Sequence, residues 1–162
     1  MKPKNIKTIL AGGVFVLAAV VGALVMGSAG RDGAVATASA ADMMVYKSPT
    51  CGCCTVWIEH IEAHGFSVEY EDTYDIAPIK QANGITRELA SCHTALIGGY
   101  VIEGHVPAED IQRLLAERPD VVGLTVPGMP MGSPGMEGSF TERYDVLAYD
   151  RDGNTQVFAT HN

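Results

Sequence analysis

"MMVYKSPTCGCCTVWIEHIEAHG" (Met43–Gly65) is the stretch on which the fold turns. "MMVYK" is a short, β-prone apolar run, and "SPT" is a turn with Thr50 as a candidate helix N-cap. A helix then runs from about Cys51 to His64 and stops at Gly65. Cys54, Trp57, Ile58 and Ile61 fall at i, i+3, i+4 and i+7, and form its inner face. Cys51 sits at the exposed first turn, where the helix dipole favours a thiolate, while Cys54 points to the core. A C-x-x-C between a first strand and a first helix is where redox folds keep a dithiol. Here Cys53 adds a third thiol between its ends.

The same strand-and-helix grammar extends downstream. "FSVEYED" (66–72) is a second strand, and "APIKQANG" and "TRELASC" are short helical turns. "TALIGGYVIEG" (94–104) is a hairpin through Gly98-Gly99. "PAEDIQRLLAE" (107–117) is an amphipathic helix with Pro107 near its start and Ile111, Leu114 and Leu115 facing in. "TVPGMPMGSPGME" (125–137) carries too many breakers for regular structure. "YDVLAYDRDGNTQVFATH" (144–161) closes the chain as a hairpin around Asp152-Gly153. Right-handed crossovers and hairpin pairing bring these strands into one sheet. The predicted fold is α/β: a thioredoxin-like mixed sheet with flanking helices, plus a C-terminal β-hairpin.

Residues 1–40 are read as a leader. Lys2, Lys4 and Lys7 precede an apolar run from Ile9 to Met26, and Ala38-Ser39-Ala40 offers an A-x-A exit. The apolar run also approaches the length of a membrane span. Cleavage after Ala40 is the preferred reading and an uncleaved anchor the alternative. Both put residues 41–162, one domain of modest core, in the periplasm. The leader holds four of the 11 basic residues and one of the 19 acidic ones, so the mature charge is −11 with histidine neutral. Nucleic acid and anionic lipid are poor partners for such a surface, and the membrane enters only through the leader. Cations are the better match.

Exported cysteines are ordinarily oxidised. Adjacent Cys53 and Cys54 cannot bridge without strain, so two ordinary disulfides require Cys92 to pair with one of the three. "SCHTALIGGYVIEGHV" resembles the second half of a thioredoxin or glutaredoxin, with His93 where the cis-proline would stand. That resemblance implies that Cys92 faces Cys51 and Cys54. Topology returns Gly104-His105 to the same end of the sheet. Met129, Met131 and Met136 reach the thiols only if their loop folds back.

Thiolate, thioether and imidazole are soft donors suited to copper(I); zinc is the competitor. Clustered thiolates also permit several copper(I) ions to share bridging sulfurs. The candidate metal ligands are Cys51, Cys53, Cys54, Cys92, Met131, His105, Met129 and Met44, with Cys53 restricted by helix geometry. His105 is read as either a ligand or a cap for the last helix. His60, His64 and His161 are read as solvated or tail residues, and Asp72, Asp75, Glu109 and Asp110 as turn and helix-start residues. The competing reading is a thiol–disulfide oxidoreductase with Cys51 attacking and Cys54 resolving. It gives no use to Cys92, His93 or the methionine loop.

"CGCC", "CHTA", "GYVIEGHVPAEDI" and "VPGMPMGSPGME", in that order, resemble the CopG-type periplasmic copper-resistance proteins. The resemblance runs from about Met43 to Glu137 and, more loosely, through the closing hairpin. It implies a thioredoxin-like fold, a cysteine-rich copper site able to hold a multinuclear cluster, and a role in surviving excess copper beside other periplasmic copper-handling proteins. A redox role interconverting copper(I) and copper(II) has been proposed for that family.

Overall fold

The computed structural model describes residues 42–162. The expected leader lies outside them, and among the described residues no helix is long and apolar enough to cross a membrane. The elements run β1 (Asp42–Lys47), α1 (Gly52–Ala63), β2 (Ser67–Asp72), α2 (Ala77–Ala82), β3 (Thr94–Ile97), β4 (Tyr100–Glu103), α3 (Ala108–Glu117), β5 (Gly123–Thr125), β6 (Tyr144–Tyr149) and β7 (Thr155–His161). They form the expected mixed α/β sheet with flanking helices, in the order β2-β1-β3-β4-β5-β6-β7. β1 and β2, and β4 and β5, are parallel pairs joined through α1 and α3. The other neighbours are antiparallel, with an irregularity at Val146/Leu147 in the closing β6–β7 hairpin.

Alternation along the strands divides the interior in two. Met43, Val45, Ala95, Ile102, Leu124 and Val146 face α1 and α3, and pack on Trp57, Ile58, Ile61, Ile111 and Leu114. On the reverse face a smaller cluster joins Val101 and Tyr149 to Ile85 and Leu89 from the segment after α2. β1 and β4 run in the same direction, while β2 and β5 lie on opposite sides of them. Because α1 and α3 share one face, the two crossovers have opposite hands. One of them therefore departs from the right-handed rule expected from sequence.

Several local expectations are corrected. The N-cap of α1 is Cys51, not Thr50. "TRELASC" forms turns without a helix, and Leu115 is only half-buried. β2 is an exposed edge strand whose alternation is barely used. β5 is not foreseen from the sequence, and only its last residue, Thr125, falls in the expected loop. His161 is no loose tail: its Nε2 lies 2.7 Å from Asp110 Oδ2 and its ring stacks on Tyr144.

Candidate metal centre

Four segments converge beyond the C-terminal end of β1. The Ser48–Thr50 turn delivers Cys51 as the first residue outside α1, with extended backbone (φ −80°, ψ 92°). Its side chain is therefore free of helical spacing. That removes the geometric objection to Cys53, whose Sγ lies 3.5 Å from Cys51 Sγ. Cys51 and Cys54 are joined by a disulfide, and Cys53 and Cys92 are free thiols. Cys92 Sγ stands 3.4 Å from Cys54 Sγ. All four sulfurs lie within 4.8 Å of one another.

Cys92 reaches this position because a buried carboxylate grips its turn. Glu103, fully buried at the end of β4, accepts the Ser91 N–H at 2.6 Å and the Thr94 hydroxyl at 2.7 Å. The Lys80 ammonium from α2 pairs with the same carboxylate. A buried charge needs such partners. Sequence reasoning passed over Glu103 and Lys80; the available signal was a lone acid inside the apolar hairpin "YVIEG". Gly104 follows, with φ +74°, and a Cβ there would meet Ser91 and stand 2.8 Å from Val126 O. The chain then turns His105 into the centre.

The hydrogen bonds assign the ring protons. His105 Nδ1 is 2.7 Å from Pro134 O, which only accepts, so Nδ1 carries the proton. Its Nε2 lone pair then faces Cys92 Sγ at 3.0 Å and accepts the thiol hydrogen. His93 Nδ1, 3.3 Å from the same sulfur, donates to it. That leaves the lone pair of His93 Nε2 buried and, among the described residues, without a partner. Burial drives the His93 pKa well below the ordinary value, helped by His105, beside which a second charged imidazole would be repelled, and by the positive fields of Lys80 and Lys47. Burial also lowers His105, against the Pro134 carbonyl and Glu137, so both rings are neutral. The Cys92 thiol is pushed up to about 12, first by burial and then by Cys53. His105 does not cap α3. That task belongs to His60, whose Nε2 accepts the Ala108 N–H at 3.2 Å.

The methionine loop folds back over the centre, through its glycine and proline. Pro134 O holds His105, and Gly135 is so close that a Cβ would stand 2.6 Å from Cys53 O and 3.0 Å from Trp57 N. The Met131 methyl packs against Gly138 within the loop. Met129 is half exposed beside the Gly128 amide, which bonds Ala90 O at 3.1 Å. Met44 pairs with Leu96 on the reverse face of the sheet, away from α1. The structure thus gathers Cys51, Cys53, Cys54, Cys92 and His105, adds His93, and holds Met44 on the other face.

Known proteins carry the same framework. Residues 89–136 match the family described as "Protein of unknown function, DUF411". No curated protein sequence matches the chain. Among solved structures, the copper resistance protein CopG in its form 2 is 44% identical, with a TM-score of 0.71 over 75% of this chain and 98% of that one. Form 1 is 45% identical, with a TM-score of 0.70 over 74% and 96%. The chain belongs to the CopG copper-resistance family. These structures cover 75% and 74% of the chain, well beyond the 89–136 block. For a CopG protein the donor set fits a soft metal: four sulfurs within bridging reach, two neutral imidazoles, and one buried ring nitrogen that lacks a partner. The Cys51–Cys54 bridge sets the condition. Two of the four sulfurs become ligands only when it is reduced, because the thiolate is the binding form.

Proposed function

We propose that this protein is an exported, periplasmic copper-binding protein of copper resistance, which holds copper(I) on Cys51, Cys53, Cys54 and Cys92. His105 and His93 close the inner side of the site, and Met129 and Met131 are candidate thioethers on the loop above it. Supporting this reading is one observation above all: Cys92 stands 3.4 Å from Cys54 and 3.0 Å from His105, on a turn held by buried Glu103. A simple C-x-x-C reductase has no use for that thiol. Sulfurs within 4.8 Å of one another suit shared, bridging coordination of several copper(I) ions. Copper supplies soft, one-electron chemistry when bound. The chain's own part is to present thiolates, keep both imidazoles neutral and exclude water with the 134–135 segment.

The experiment is anaerobic copper(I) titration of the reduced protein, with X-ray absorption at the copper edge. Sulfur-dominated scattering is expected, and Cys92→Ser should weaken copper(I) binding by about tenfold or more. The Cys51–Cys54 disulfide favours a second reading, thiol–disulfide exchange with Cys51 attacking and Cys54 resolving. Strong disulfide reductase activity in Cys92→Ser, with copper binding unchanged, would select that reading over the first.

A further inference from the structure

A second donor cluster stands about two turns further along α1 from Cys53. His60 and His64 are four residues apart on that helix, with ring centroids 4.4 Å apart. Glu109 reaches them from the first turn of α3, and one donor atom from each of the three lies within 4.8 Å of the others. Histidines at i and i+4 aim two nitrogens at one point beside a helix.

The local hydrogen bonds prepare the lone pairs. His64 Nδ1 lies 2.7 Å from His60 O, a carbonyl that only accepts, so the proton is on Nδ1 and Nε2 is left open. Metal-binding histidines are commonly oriented in this way, by a carbonyl on the other nitrogen. His60 Nε2 points at the start of α3, where it accepts the Ala108 N–H at 3.2 Å. The next residue is Glu109. A second carboxylate, Glu137 of the methionine loop, is also close enough for its charge to act on His60.

We propose that His60, His64 and Glu109 form a second metal site, distinct from the thiol centre, that takes a divalent ion and copper(II) foremost. Imidazole and carboxylate suit a borderline divalent ion, and copper(II) leads the first-row series at nitrogen and oxygen donors. An ion on His60 Nε2 displaces the Ala108 N–H. That amide is buried with Ala108, so leaving it without its partner is a cost that metal binding at this site has to exceed. The site does not depend on the thiols holding copper(I). It would let one molecule meet copper in both oxidation states.

The test uses the full chain carrying Cys53→Ser and Cys92→Ser, in its oxidised form. The chain has four cysteines, so with Cys51 and Cys54 bridged no thiol remains to reduce copper(II). Copper(II) titration followed by electron paramagnetic resonance should show an ion with coupling to two imidazole nitrogens. Adding His64→Ala should weaken that binding by about 10–100-fold, while circular dichroism stays unchanged, because the His64 ring is exposed and hydrogen-bonds only the His60 carbonyl of its own helix. Identical titrations with and without His64→Ala, or a spectrum without nitrogen coupling, would overturn the proposal. A second arm needs no cysteine change: nickel(II), which thiols do not reduce, titrated into the oxidised wild type and into His64→Ala. The same loss is expected, and equal affinities would count against the site.

Discussion

His93 is the residue whose surroundings ask most of it. Its ring is fully buried, 4.3 Å from the Trp57 ring between centroids, and Nε2 has no partner among the described residues. Burial favours the neutral form, so its native pKa lies well below the ordinary value near 6.5. As pH falls below about 6.5, the unfolded chain takes up a proton that the native protein refuses. Stability is therefore lost on acidification, by up to about 1.4 kcal/mol per pH unit for this one ring, until the native pKa is reached. Urea unfolding of the oxidised, metal-free protein between pH 7.5 and 5 should show this slope. His93→Gln should make it shallower by about one proton, whatever it does to stability at neutral pH; a slope unaltered by the substitution would show that His93 is not the group responsible. The presence of an imidazole at this turn was legible in "SCHTA", but its burial was not. Nothing in the spacing between Trp57 and His93 announces that their rings touch.

Among the elements, the 134–135 segment is held close against the start of α1. Gly135 adopts φ +85°, a region that favours glycine, and a Cβ there would collide with Cys53 O and Trp57 N. Gly135→Ala should lift this segment off α1, at a cost of about 1–3 kcal/mol, and release the Pro134 carbonyl from His105. Thermal unfolding measures the first effect. The alkylation rate of Cys53 measures the second and should rise; an unchanged rate would mean that the segment does not shield the thiol. β1, α1, β3, β4 and α3 were readable because each carries an apolar pattern of its own length. β5 was not, because three residues, "GLT", show no alternation, and its pairing comes from β4 and β6 on either side. The cap of α3 was hidden for a similar reason: His60 and Ala108 are 48 residues apart, and only the packed pair of helices makes them neighbours. Cys92 beside Cys54 could be anticipated from the resemblance of "SCHTALIGGYVIEGHV" to the thioredoxin and glutaredoxin turn that packs against the C-x-x-C. Glu103 was signalled only as a lone acid in "YVIEG"; its partners, from α2 and from the turn itself, were not legible.

At the scale of the whole molecule, the question is whether the centre can open its disulfide without loosening the fold. The sheet is covered on both faces, and its main core draws on β1, β3, β4, β5, β6, α1 and α3, so no single covalent link closes it. The bridge joins residues only three positions apart. Loop-closure entropy grows with loop length, and for so small a loop it amounts to about 2 kcal/mol at most. Cys54 itself is anchored independently on the inner face of α1 beside Trp57, Ile58 and Ile61. The Cys92 turn is likewise held by Glu103 rather than by a covalent bond. Reduction should therefore convert the bridge into two further thiols within a fold that barely changes, as a site that alternates between bridged and metal-binding states requires. Urea unfolding of the metal-free protein, with and without a phosphine reductant, should give stabilities within about 2 kcal/mol of each other and superimposable far-ultraviolet circular dichroism. Collapse of that signal on reduction would mean that the bridge, and not the core, holds the four sulfurs together, and the reduced centre would then have no preformed geometry to offer a metal.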